Sequence, residues 1–234
     1  MSADLIPTGA GIAGAIGAGG YALAQVGRFM RETFPLATAE LDKALGAEIV
    51  KRASDREQRF SRTVADVAAE RSLTAPTREA PVGVLYPLLE AALLEDDDDL
   101  RKHWAQMFIN AVDANSTAET RRAYVSLFQD CGRLDIKILA VLHETNLKHP
   151  GVRVWTKYLP DRILLDTDEY VKEIQSGRER NILPDSRTMR SLWNLVRLGL
   201  IDSASLGEGD RKLMSVMMTS LGVGLVEACT APRV

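Results

Sequence analysis

The chain has 234 residues and a formal net charge of −3, a size that suits one large or two small domains. Its hydrophobic fraction of 46% and charged fraction of 26% are those of an ordinary globular protein. The small negative charge argues against general affinity for nucleic acid. Residues 81–130 carry nine acidic and four basic side chains, whereas residues 131–234 carry thirteen and fifteen, so we expect an anionic partner at the last third.

The first 36 residues are an apolar segment rich in glycine and alanine, and residues 5–27 contain no charged side chain. That length could cross a bilayer, which needs about 20 apolar residues, and the small residues would let helices pack closely in lipid. Glycine, however, destabilises a helix in water by about 1 kcal/mol relative to alanine, which favours a flexible or loosely helical segment. Both interpretations stay open. The residues expected to contact a membrane or a second copy are Gly11, Gly14, Gly17 and Tyr21.

Residues 37–72 are predicted to form a helical arm. Apolar side chains recur every four residues over 38–52, which is typical of one face of a helix. A second helix is predicted over about 55–71, with an apolar face made by Phe60, Val64 and Val67. Two prolines interrupt the periodicity in residues 73–84, which are therefore predicted to be a linker.

A helical core is predicted over residues 85–147. Pro87 is expected to open its first helix, because the first turn does not need the backbone N–H that proline lacks. The acidic residues 95–99 are expected to cap the next helix, since carboxylates accept hydrogen bonds from its free N–H groups and suit its positive end. A metal site there is disfavoured, because consecutive side chains point in different directions. The capped helix has one predicted apolar stripe, made by Leu100, Trp104, Met107, Phe108, Ala111 and Val112.

Two further helices complete the predicted core. One covers 118–131, with Gly132 as the residue that follows its C-terminus. The other is expected to have Asp135 as its N-cap and to run to about residue 145. Its predicted buried side chains are Ile136, Ile138, Leu139 and Leu142.

The order of residues across this core is distinctive. It consists of residues 87–100 (Pro-Leu-Leu-Glu-Ala-Ala-Leu-Leu-Glu-Asp-Asp-Asp-Asp-Leu), the pairs Trp104-Ala105 and Asn110-Ala111, and residues 134–139 (Leu-Asp-Ile-Lys-Ile-Leu). This pattern resembles the abortive infection alpha (Abi-alpha) family over roughly residues 84–145, and more weakly to about 230. The resemblance implies a bacterial phage-defence or accessory protein. It implies no activity and brings no catalytic residue.

Residues 148–234 are predicted to form a winged-helix-like unit with a small β-hairpin. A helix is expected to begin at Asp185 and to stop at Gly199. A strand is predicted within 213–218, and a last helix is expected to begin at Thr219. Preceded by the helix over 135–145, these elements follow the order of a winged-helix unit.

The helix over 186–198 carries a candidate binding face: Arg187, Arg190, Asn194 and Arg197. Its predicted inner face consists of Met189, Leu192, Trp193 and Val196. Arginine and asparagine pair with guanine and adenine edges in the DNA major groove, so the outer face could read DNA. The weak basic charge of the region favours a face that is merely exposed or that binds a protein.

The sequence predicts no catalytic residue, no cofactor and no metal site. Cys131 and Cys229 lie on apolar helical stripes and are expected to be free, buried thiols in a reducing cytoplasm. An enzyme that uses Cys131 with His143 is a third hypothesis. It ranks below protein binding and DNA binding because Cys131 occupies a core position.

The predicted fold is therefore mainly α, with a helical bundle followed by the winged-helix-like unit. The predicted function is non-enzymatic abortive-infection defence through a protein partner or self-association. The protein is expected in the cytoplasm, with residues 5–27 as the segment that would attach to or enter the inner membrane. The alternative is a winged-helix DNA-binding regulator, and no small-molecule substrate is evident.

Overall fold

The computed structural model describes residues 55–165, 183–203 and 213–232. The chain divides into two units, residues 1–77 and 78–234. The glycine-rich segment and the helix predicted over 38–52 lie outside the described residues.

In the first unit, residues 55–70 form helix α1. Its predicted apolar face is confirmed, because Phe60, Val64 and Val67 are all buried. The helix ends just before Ser72, which has a positive φ of 55°. The Leu73 N–H then donates to the Ala68 carbonyl at 2.9 Å, the closing hydrogen bond usual where the residue after a helix is left-handed.

The second unit begins with helix α2, Val82–Leu94. The prediction that Pro87 opens this helix is wrong, since Pro81 is the N-cap and Pro87 is the sixth helical residue. The N–H that Pro87 lacks would have bonded to the carbonyl of Gly83, four residues earlier. Gly83 is exposed, so water can satisfy that carbonyl. The helix thus includes the last three residues of the predicted linker.

Helix α3, Asp98–Val112, is capped as predicted. The Asp97 carboxylate accepts hydrogen bonds from the N–H groups of Asp99 at 2.9 Å and Leu100 at 3.1 Å. The single predicted apolar stripe is too narrow, because eleven of the fifteen residues are buried. Burial on nearly all sides is typical of a core helix rather than a surface helix.

Helix α4, Arg122–Gln129, and helix α5, Arg133–Lys148, follow. Two predicted caps between them are wrong. Gly132 has a φ of −91°, so it does not close α4 in the left-handed conformation but is the N-cap of α5. Asp135 is the third residue of α5, and its carboxylate accepts the Gly132 N–H at 2.8 Å.

A three-stranded antiparallel sheet lies in the C-terminal part of the second unit. Its strands are β1, Val154–Trp155, β2, Ile201–Ser203, and β3, Ser215–Met218, in the order β1-β3-β2. The predicted hairpin is present as β2 paired with β3. The sheet also has a third strand, because Val154 pairs with Val216.

Helix α6, Ser186–Arg197, lies between β1 and β2 in the sequence, and helix α7, Ser220–Cys229, follows β3. Gly199, with a φ of +71°, follows α6 as predicted. Helix α5 contacts both α6 and α7, and α3 contacts both α2 and α7. The described fold is mainly helical with one small sheet, which confirms the predicted class.

Candidate functional site

The candidate binding face lies on α6. Three of its four predicted residues, Arg187, Arg190 and Arg197, are exposed, whereas Asn194 is half-buried. The predicted inner face is partly wrong, because the Trp193 side chain is 39% exposed. It lies three residues from Arg190 and four from Arg197, so it shares their side of the helix. We call Arg187, Arg190, Trp193 and Arg197 the α6 outer face.

Two polar residues occupy the buried side of α6 in place of Trp193. The Thr188 hydroxyl donates to the Asp185 carboxylate at 2.7 Å, and the Ser191 hydroxyl donates to the Asp135 carboxylate. Both hydroxyls are therefore satisfied when buried, as the folded state requires. Leu192 and Leu195 fill the rest of this side and are fully buried.

Asn194 and Arg197 are held by contacts within the chain. The Asn194 amide nitrogen donates to the Asp130 carbonyl and to the Asp135 carboxylate, each at 2.9 Å. The Arg197 guanidinium donates to the Asn194 amide oxygen at 2.9 Å and pairs with the Asp130 carboxylate at 3.2 Å. Both amide hydrogens of Asn194 are therefore engaged in hydrogen bonds within the chain. Asn194 could bind a DNA base only if these hydrogen bonds broke.

The N-terminus of α6 is fixed by Asp185. Its carboxylate accepts the N–H groups of Arg187 at 2.8 Å and Thr188 at 3.0 Å. The hydrogen bonds from the side chain and backbone of Thr188, followed by that from Arg187, hold the pKa of Asp185 below its usual value of 3.8. The cap is therefore charged at neutral pH, which suits the positive end of the helix.

The other predicted site residues belong to the glycine-rich N-terminal segment. Gly11, Gly14, Gly17 and Tyr21 lie outside the described residues. Among residues 55–165, 183–203 and 213–232, no helix has both the length and the apolar content needed to cross a membrane. The same residues contain no group of three or more His, Cys, Asp or Glu side chains placed to hold a metal ion.

The two cysteines are free and buried, as predicted. Burial, with the nearby Asp135 and Asp130 charges, raises the pKa of the Cys131 thiol to about 12. Burial also raises the pKa of Cys229 well above its usual value. A thiol must lose its proton to become a strong nucleophile, so both cysteines suit packing better than chemistry.

A comparison with known families places the chain. A family model described as abortive infection alpha matches residues 54–229. The chain belongs to the abortive infection alpha family. The match is longer than residues 84–145, on which the main sequence resemblance rests, and it takes in the described elements from α1 to α7. No curated protein matches this abortive infection alpha protein, and no solved structure does.

The structure gives a role to one position of the abortive infection alpha pattern. The fully buried Asn110 of α3 donates from its amide nitrogen to three backbone carbonyls at the C-terminus of α7: Glu227 at 3.2 Å, Ala228 at 2.9 Å and Thr230 at 2.9 Å. The last carbonyls of a helix have no partner within the helix. Asn110 therefore caps a helix that lies more than a hundred residues away in the sequence.

A second residue of α3 bonds to the same helix end. His103 Nδ1 is 3.0 Å from the Cys229 carbonyl, so this nitrogen carries the hydrogen and donates it. Arg78 acts on α3 in the same way, because its guanidinium donates to the carbonyls of Asn110 at 2.5 Å and Ala111 at 3.2 Å. None of the three contacts was predicted from the sequence, since a cap supplied from a distant segment leaves no local pattern.

Proposed function

We propose that this protein is a non-enzymatic abortive-infection protein that acts by binding another protein through the α6 outer face. The observation that carries the proposal is the exposure of Trp193 between Arg190 and Arg197. A single exposed apolar side chain is common on protein surfaces, but Trp193 lies on the same side of α6 as three arginines. Tryptophan and arginine are also the residues most enriched among those that dominate the binding energy of protein interfaces.

The charges of this face indicate the kind of partner. Arg187 and Arg190 are exposed, and the third arginine, Arg197, already pairs with Asp130. An acidic surface would gain from the first two arginines without having to break that pair. We therefore propose an acidic protein surface as the partner, on a different protein or on a second copy of this chain.

The non-enzymatic part of the proposal is supported by the cysteines. The best nucleophile candidate, Cys131, has its pKa raised to about 12 and donates its hydrogen to the Leu127 carbonyl at 3.3 Å. At neutral pH it stays protonated and within the core, which disfavours catalysis with His143.

A membrane-active N-terminal segment is a second part of the proposal. It is supported by the sequence of residues 5–27, which lack charge and are followed by Arg28 and Arg31, as a cytoplasmic flank would be. Dye release from anionic liposomes by the intact chain, compared with a chain lacking residues 1–31, tests this part. Equal dye release by the two chains would reject it.

The partner proposal is tested by phage challenge of bacteria that express the chain. Trp193→Ala and Arg190→Glu should each abolish protection, because loss of a dominant interface residue costs about 2 kcal/mol or more, roughly 30-fold in affinity. Leu147→Ala, at another exposed apolar position, is the matched control and should keep protection. A photo-crosslinking residue at position 193, but not at 147, should capture an acidic protein after infection. Full protection by both α6 variants would reject the proposal.

DNA binding is the second candidate, and the topology favours it. Along the chain the elements follow in the order α5, β1, α6, β2, β3, and the three strands form a sheet in the order β1-β3-β2. This order is typical of a winged-helix unit. In that arrangement α6 would be the reading helix, with Arg187 and Arg190 towards DNA. Fluorescence anisotropy with duplex DNA at low salt separates the candidates. Tight binding that is lost in the double variant Arg187→Ala/Arg190→Ala would support DNA reading and count against a protein partner.

A further inference from the structure

Helix α2 presents an exposed apolar face. The side chains of Val82, Tyr86 and Leu94 are 67%, 45% and 65% exposed. With the exposed Glu90, they are spaced four residues apart, so the four side chains form one row along the helix. We call Val82, Tyr86, Glu90 and Leu94 the α2 row. Large apolar side chains that are exposed together are typical of an interaction site, whereas scattered ones are ordinary.

The other side of α2 supplies its packing within the second unit. This side consists of the buried Leu85, Leu88, Leu89, Ala91 and Ala92, and the helix contacts α3 and α4. The α2 row lies away from this packing. Its residues can therefore be changed without removing a core side chain.

The α2 row is complementary to itself. Two copies of the row can pair antiparallel about a two-fold axis at the level of Leu88, as a symmetric dimer requires. Val82 of each copy then faces Leu94 of the other. Tyr86 of each copy faces Glu90 of the other, where the flexible acidic side chain can lie beside the aromatic ring. The apolar ends of the row thus meet apolar ends.

The size of the face is enough for a weak dimer. A helix of 13 residues is about 20 Å long and about 10 Å wide. Two such faces would bury on the order of 1,000 Å² in total, close to the lower limit for a specific interface. Rows of side chains four residues apart fit between one another when the helices cross at about −50°, the commonest packing of helices. We expect a dissociation constant on the order of micromolar.

The composition of α2 favours a second copy over a foreign partner. Glu90 is the only charged residue of the helix, so the face offers little electrostatic attraction to a foreign protein. Interfaces between identical chains are also more apolar than other interfaces. A second copy brings a second Glu90, whereas a foreign protein with a basic surface would gain from this carboxylate.

We propose that the α2 row binds the α2 row of a second copy, so that the chain forms an antiparallel two-fold dimer. This inference does not depend on the partner proposed for the α6 outer face. It concerns a different helix, and each can fail while the other holds.

Analytical ultracentrifugation of the full chain tests the proposal. The sedimenting mass should rise from one chain to two as the concentration rises from about 1 to about 200 µM. Val82→Glu and Leu94→Lys should each weaken self-association at least about tenfold, because the symmetric pair buries each introduced charge twice. An acid at the start of a helix and a base at its end suit the helix dipole, so both variants should fold. Leu147→Lys, at an exposed apolar position near the end of α5, is the matched control and should leave self-association unchanged.

Two further variants test the register and the choice of partner. In Val82→Glu/Leu94→Lys the opposite charges of the two copies face each other, so the double variant should associate more tightly than either single variant. Glu90→Gln should strengthen self-association about twofold, since it removes a like charge from each copy.

Four results would overturn the proposal. The first is a chain that stays monomeric throughout this range, whatever else covers the α2 row. The second is single variants that associate as the original chain does. The third is a double variant no tighter than the single ones. The fourth is self-association that Trp193→Ala abolishes and the α2 variants keep, because that result would place the interface on α6.

Discussion

Replacing Asn110 by alanine should destabilise the fold more than almost any other single polar change. The side chain is fully buried, and its amide nitrogen donates to the carbonyls of Glu227, Ala228 and Thr230. Its amide oxygen accepts the Ser116 hydroxyl at 2.9 Å. The substitution removes all of these bonds and leaves the α7 carbonyls without their cap.

The magnitude follows from the number of hydrogens. An amide nitrogen has two, so the three carbonyl contacts represent about two hydrogen bonds, and the Ser116 bond is a third. At about 1 kcal/mol net for each bond, with roughly 1 kcal/mol more for carbonyls left unsatisfied, the loss is about 4 kcal/mol. For a chain of this size that corresponds to a fall in Tm of roughly 10 °C.

Urea denaturation followed by circular dichroism measures this loss. Asn110→Asp keeps the shape but replaces the donors with a carboxylate facing the carbonyls, so it should cost at least as much as the alanine variant. Asn115→Ala, three residues beyond the end of α3 and exposed, is the matched control and should change the free energy of unfolding by less than about 0.5 kcal/mol. A change of that small size in Asn110→Ala would refute the proposed cap.

Three further outcomes are expected. Gly222→Ala should cost about 2 kcal/mol or more, because a β-carbon there would overlap the Leu200 carbonyl, whereas Gly83→Ala meets open space and should add up to about 1 kcal/mol; urea midpoints that shift in the same direction would contradict this. Asp185→Ala should lower stability at pH 7, and the difference should shrink as the pH falls below 3.8 towards the lowered folded-state pKa; a difference between the urea midpoints that is as large in acid as at pH 7 would count against the charged cap. The Cys131 thiol, with its pKa raised to about 12, should react with iodoacetamide at pH 8 only after denaturation; mass spectrometry that finds rapid labelling of the folded chain would show that it is accessible.

Local signals in the sequence were sufficient where one residue acts on its own helix end. Asp97 and Asp185 accept N–H groups two and three residues ahead, and Gly199 takes the left-handed conformation just after α6. These contacts depend only on the residue type and its neighbours, so pattern reasoning finds them. The same holds for the apolar face of α1 and for the helical class of the fold.

The predictions from sequence were wrong where the position of a side chain depends on a partner that is distant in the sequence. Trp193 was expected inside because it is apolar, but Ser191 occupies the buried side once Asp135 of α5 accepts its hydroxyl. Asp135 was expected to be a simple cap, yet it also joins α5 to α6 through Asn194. The spacing of residues near these positions does not indicate either contact, so both could be identified only in the folded structure.

The caps that α3 supplies to α7 have a consequence for the order of synthesis. Helix α3 is complete once residue 112 has been made, but its partner carbonyls lie at residues 227–230. At protein synthesis rates of about 5–20 residues per second, the ribosome needs on the order of ten seconds to reach them. For that interval α2 can already pack against α3, but the apolar side of α3 that contacts α7 stays exposed. A chain that stops before residue 220 should therefore be held by chaperones and removed by proteases.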